Sequence, residues 1–117
     1  MLTHKQVNVK FDGIKIEVDE GIAELILLLN RDMGIKTHHS CEDDWPYRQM
    51  YVSVDTLEDA KTIMDICFEI LQENQHCIGP ITIEDDVTLG YPCHFIPRIS
   101  FSRNLYPHII KAIKRRT

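Results

Sequence analysis

Residues 19–41, DEGIAELILLLNRDMGIKTHHSC, change hydrophobic period midway, and that change decides the fold class. Ile22, Leu25, Ile26, Leu29 and Met33 recur at three- and four-residue intervals, which puts them on one face of a helix. Asp19 stands where an N-cap belongs and Gly34 supplies a C-terminal stop, so the spacing predicts a helix over about 20 to 33. Ile35 to Cys41 follows at once, is too short for a second helix, and ends in the polar run Glu42-Asp43-Asp44-Trp45-Pro46. It reads as a strand leading into an acidic loop.

Upstream, Val7, Val9 and Phe11 alternate with polar residues, and Ile14, Ile16 and Val18 do so again after Asp12-Gly13. Asp-Gly between two alternating runs predicts a β-hairpin, because a type I′ turn needs positive φ at both central residues. Downstream, Met50 to Asp55 reads as a strand, with Val52 and Val54 on one face and Tyr51 and Ser53 on the other. Thr56 or Asp55 caps a helix that carries Ala60, Ile63, Met64, Cys67, Phe68 and Leu71 as far as about Asn74. Ile81 to Glu84 and Arg98 to Ser102 are further strands, and Asn104 caps a last helix through Ile109, Ile110 and Ile113. Lys111, Lys114, Arg115 and Arg116 suit the negative end of that helix's dipole.

The order ββ-α-ββ-α-β-β-α contains the β-α-β-β-α-β pattern of a ferredoxin-like fold. The expectation is a single α+β domain over 1–117: a two-layer ferredoxin-like sandwich with an added N-terminal hairpin strand and a C-terminal strand and helix. Its 117 residues and 44% hydrophobic content suffice for one core without disulfide or metal staples. Thirteen Lys and Arg against eighteen Asp and Glu, a net charge of −5, argue against nucleic acid as partner. The longest apolar run, Leu25 to Leu29, is far short of a membrane span, and no secretory signal stands at Met1 to Lys10. A cytoplasmic protein with reduced cysteines is expected, and Cys41, Cys67, Cys77 and Cys93 form no C-x-x-C pair.

If Ile16, Ile35, Val52, Val54 and Ile99 face the helices, alternation places Lys15, Glu17, His38, Ser40, Tyr51, Ser53, Arg98 and Ser100 on the opposite face. Of these, His38, Ser40, Tyr51, Ser53 and Arg98 form a candidate ligand platform, with Tyr51 to stack a ring and Arg98 or His38 to meet an anion. A half-buried antiparallel sheet is polar on its wet side in any case. The densest chemistry lies in Thr37 to Asp44, where His39 and Cys41 share a face and could join His94 around zinc. Cys41 as a nucleophile is opposed by the adjacent carboxylates, which disfavour a thiolate. Two acidic triplets, Glu42-Asp43-Asp44 and Glu84-Asp85-Asp86, would suit a hard cation if they met. No dinucleotide, Walker A, nucleophile-elbow or H-E-x-x-H motif is present, and Pro92-Cys93 lacks the rest of a zinc deaminase signature.

Leu28-Leu29-Asn30, Gly34-Ile35, Thr37 and Ser40-Cys41-Glu42 resemble a signature of small uncharacterised bacterial and phage-encoded α+β proteins, over residues 22–42. In these a helix ending in Leu-Asn and Gly leads into a strand closing on Thr-x-x-Ser-Cys, often followed by Gly where Asp43 stands here. The resemblance implies that Ser40 and Cys41 belong to a recurrent strand-end site. The leading expectation is a non-catalytic module that binds a small molecule or protein partner through the open sheet face and the His38 to Asp44 loop. One alternative is a zinc-dependent enzyme using His39, Cys41 and His94; another is a structural subunit whose open face makes a homo-oligomer.

Overall fold

In the computed structural model of the chain, which describes residues 4–44, 49–74, 81–85 and 95–117, Asp12 and Gly13 both take positive φ, 46° and 76°. That is the type I′ geometry the Asp-Gly pair dictates. It joins β1 (Gln6–Phe11) to β2 (Ile14–Asp19) in a regular antiparallel ladder running from Phe11 opposite Ile14 to Gln6 opposite Asp19. The predicted first helix is a composite: a 3-10 turn at Glu20–Ile22, α1 at Ala23–Leu27, and a π-helical turn at Leu28–Asp32. Gly34, at φ 66°, ends it, and the Ile35 amide reaches back to the Leu29 carbonyl at 2.8 Å. Asp19 does not cap this helix through its side chain, because tertiary partners described below hold the carboxylate.

β3 (Thr37–Asp44) and β4 (Gln49–Val54) follow, then α2 (Leu57–Glu73), β5 (Thr82–Asp85), β6 (Pro97–Ser102) and α3 (Tyr106–Arg116). Thr56 caps α2, its hydroxyl accepting from the Asp59 amide at 3.1 Å. A 3-10 turn over Arg103–Leu105 takes the place of the expected Asn104 cap, and Pro107 sits in the first turn of α3, where its missing N–H costs nothing.

The strands form two antiparallel sheets, β1-β2 and β3-β4-β6-β5. The ferredoxin-like β-α-β-β-α-β core is not confirmed. A split βαβ needs β2 in the main sheet and parallel to a neighbour; here β6 lies between β4 and β5, and every described pair is antiparallel. Lys15 and Glu17, on β2, therefore do not belong to the main sheet's polar face.

Met50, Val52 and Val54 of β4 and Ile99 and Phe101 of β6 join Ile63, Ile66 and Ile70 of α2 and Ile109 and Ile113 of α3 in one core, which α1 and Val9 of the hairpin complete. Phe68, expected inside, is 48% exposed while Ile66 and Ile70 are buried, a small rotation of the buried stripe. Among the described residues no helix is long and apolar enough to cross a membrane.

Candidate functional site

β3 does not keep the strict alternation assumed for it. Thr37 pairs with Val54 and Ser40 with Val52, so three steps along β3 match two along β4, a bulge that inserts one residue. Ser40 therefore shares the face of Val52, towards the helices, and leaves the predicted platform. His38 turns to Asp55, its Nε2 3.1 Å from Oδ1. His39 takes the platform side instead: its ring meets that of Tyr51 edge-on at 5.2 Å, and the Tyr51 hydroxyl lies 3.4 Å from His39 Nε2.

Tyr51, Ser53, Arg98 and Ser100 do share a face, as the β4–β6 register requires. The Arg98 guanidinium covers the Tyr51 ring at 4.7 Å and donates to Glu84 at 2.8 Å. The face is not open, however. Tyr51 is 8% exposed, Ser100 6% and Ser53 0%. The ring expected to receive a ligand is covered by the arginine expected to anchor one, and Tyr51, Ser53 and Ser100 are buried.

Cys41 meets partners that the sequence did not single out. His94 and Cys93, with Asp86 of the second acidic triplet, lie outside the described residues, as do the side chains of Asp43 and Asp44. Among the described residues one group could hold a metal ion: nitrogen of His4, a carboxylate oxygen of Asp19 and Sγ of Cys41, all within 4.8 Å of one another. His4 precedes β1, Asp19 ends β2 and Cys41 lies on β3, so the group sits where the hairpin abuts the edge of the main sheet.

Asp19 and His4 are held by their surroundings. Asp19, 8% exposed, accepts from the Gln6 side-chain amide and, through Oδ2, from the Glu42 backbone N–H at 3.0 Å. The Glu42 carboxylate folds over Gly21, where a Cβ would overlap it, and its Oε1 lies 3.5 Å from His4 Nδ1. A carboxylate against one imidazole nitrogen directs the other nitrogen to a metal, the usual outer-shell arrangement around zinc-bound histidine. A point equidistant from three atoms no more than 4.8 Å apart lies at most roughly 2.8 Å from each, so bonds of about 2.0–2.3 Å need inward shifts of no more than about 0.5–0.8 Å. A divalent ion would also offset the charges that a thiolate and a buried carboxylate bring together.

Sequence reading missed His4 and Asp19, yet the signal was there. A two-residue loop at Asp12-Gly13 fixes the hairpin register, pairs Gln6 with Asp19, and brings the incoming chain at His4 alongside the outgoing chain after Asp19. The backbone bond from Glu20 N–H to the Lys5 carbonyl, 2.8 Å, extends that pairing. Compared with models of known protein families, with curated proteins and with solved structures, the chain matches none of them.

Proposed function

We propose that the protein is a small, non-catalytic α+β binding module whose ligand is a divalent transition-metal ion of the zinc class, held by His4, Asp19 and Cys41 with Glu42 behind His4. One observation carries this reading: nitrogen, oxygen and sulfur donors from three separate stretches of the chain converge within 4.8 Å. Mixed N, O and S donors with no complete ring of carboxylates suit zinc better than magnesium or calcium. Cys41 is thus common to this set and to the zinc set read from the sequence; His39 faces Tyr51, and His94 lies outside the described residues. Ser40 and Cys41 as a strand-end site, the implication of the sequence resemblance, enters this reading through Cys41 alone. The reading does not depend on a ferredoxin-like core, on a protein partner or on self-association.

Titration of the purified protein with cobalt(II) tests it. One equivalent should give a thiolate-to-cobalt charge-transfer band and tetrahedral d–d bands, both lost in Cys41→Ser and weakened in Asp19→Asn and His4→Ala. Folded wild-type protein that shows no such bands, or keeps them unchanged in Cys41→Ser, would overturn the reading.

A further inference from the structure

We propose that a cleft between α2 and α3, remote in sequence from the metal-binding group, binds a compact phosphate-bearing anion of sugar-phosphate size. The cleft has a volume of about 540 Å³. α3 lines it with His108, Lys111, Lys114 and Arg115; α2 contributes Ile70 and a single acid, Glu73, at its C-terminal end. A chain with five more Asp and Glu than Lys and Arg thus gathers, among the described residues, three cationic side chains and a histidine around one acid.

His108, Lys111 and Arg115 stand at i, i+3 and i+7, which aligns them in one stripe along the helix. Among the described residues none of the three makes a hydrogen bond or ion pair, whereas Lys114 is bound to Glu24 at 3.0 Å and Arg116 to Glu69 at 2.7 Å. The helix dipole accounts for cations in the last turn of α3, but not for His108 in its first turn. Nor do Lys111 and Arg115 cap α2: the Ile70 carbonyl accepts from Asn74's own backbone and side-chain N–H groups, at 2.8 and 3.2 Å. Like charges four apart repel, and an anion seated between them would turn that repulsion into charge-assisted hydrogen bonding.

The size and lining select the class of anion. The volume falls in the range of small-molecule sites, roughly 300–1,000 Å³. Among the described residues the lining holds no Phe, Tyr or Trp, and the His108 imidazole is its one aromatic ring, so it lacks the row of stacking rings of single-stranded nucleic-acid grooves.

Calorimetric titration with inorganic pyrophosphate and with ribose 5-phosphate, in EDTA so that no metal bridges the partners, tests the proposal. Saturable one-to-one binding of both is expected, weakened at least about tenfold by Lys111→Glu and by Arg115→Glu, which lie at exposed positions. Cys41→Ser, which disables the proposed metal site, and Lys61→Glu, on the exposed side of α2, should leave it unchanged, so the two proposals fail separately. No saturable binding by folded protein, equal affinity in Lys111→Glu, or binding of a single-stranded oligonucleotide without binding of either small anion would overturn it.

Discussion

Gly21 is needed for the room it leaves, since its φ is not in the left-handed region. A methyl group there would strike the Glu42 carboxylate, the flexible end of that side chain, and press on its Cβ at 3.1 Å, so the carboxylate must swing away and the Cβ give slightly. Gly21→Ala should therefore lower stability by no more than about 1 kcal/mol while moving the carboxylate off His4. Loss of such an outer-shell partner lowers metal affinity about 10- to 100-fold, measurable by competition with a chromophoric chelator. An unchanged affinity would show that Glu42 does not position His4. Cys67 presents the opposite case. It is fully buried among apolar side chains of α2, and burial pushes its thiol up to about 12. In the unfolded chain a thiol ionises near about 8.5, so between those values the unfolded state holds fewer protons and stability falls as pH rises. The loss from this group approaches about 1.4 kcal/mol per pH unit within that window and vanishes below it. Cys67→Ala, costing about 1–2 kcal/mol at pH 7, should draw level with wild type at about pH 9–10 and be the more stable of the two above that. Parallel stability profiles from urea melts would refute the assignment. Both residues show why single positions were only partly legible: Cys67 follows from helical spacing, whereas Gly21 matters through a side chain twenty-one positions on.

At the scale of elements, the first helix and the strand after it are coupled by Asn30. Its amide nitrogen donates to the Ile26 carbonyl at 2.8 Å and to the Thr37 hydroxyl at 2.9 Å, and its oxygen accepts from the Thr37 N–H at 3.3 Å. Those bonds close the π-helical end of the helix onto the first residue of β3. Asn30→Ala leaves Thr37 without these partners in a half-buried place and should cost about 2–3 kcal/mol, or roughly 8–12 °C in Tm. A loss under about 0.5 kcal/mol would mean that water replaces the amide freely. Element identity was the most legible level, because local chemistry dictates it: Asp12-Gly13 forces the turn, Gly34 the stop and Thr56 the cap. The failures share a cause. Period-two alternation names a face only while a strand stays in step with its neighbour, and the bulge between Thr37 and Ser40 moved Ser40 to the helix side and let His39 take its place. No residue type in Thr37-His38-His39-Ser40 announces an inserted position.

At the scale of the molecule, strand order was not legible, because β6 pairs with β4 across some fifty residues and pairing at that distance is settled by packing of the finished core. The same arrangement leaves the β1-β2 hairpin outside the main sheet's hydrogen-bond ladder. Its attachment consists of apolar packing on α1 together with the contacts of His4, Asp19 and Glu42 at the sheet edge. An ion held by His4, Asp19 and Cys41 would add bonds across that seam and none elsewhere, so its effect on the fold should be regional before it is global. Zinc at a hundred times its dissociation constant should stabilise the chain by about 2.7 kcal/mol, raising Tm by roughly 10 °C over protein in EDTA, and Asp19→Asn should show little of this gain. Amide exchange gives the sharper measurement. With zinc, protection should rise at Gln6–Phe11, Ile14–Asp19 and the Cys41–Glu42 edge, while amides in the middle of α2, which opens only with the whole molecule, follow the global change alone. Equal protection with and without zinc, or a gain confined to α2 and α3, would mean that the ion does not bridge hairpin and sheet.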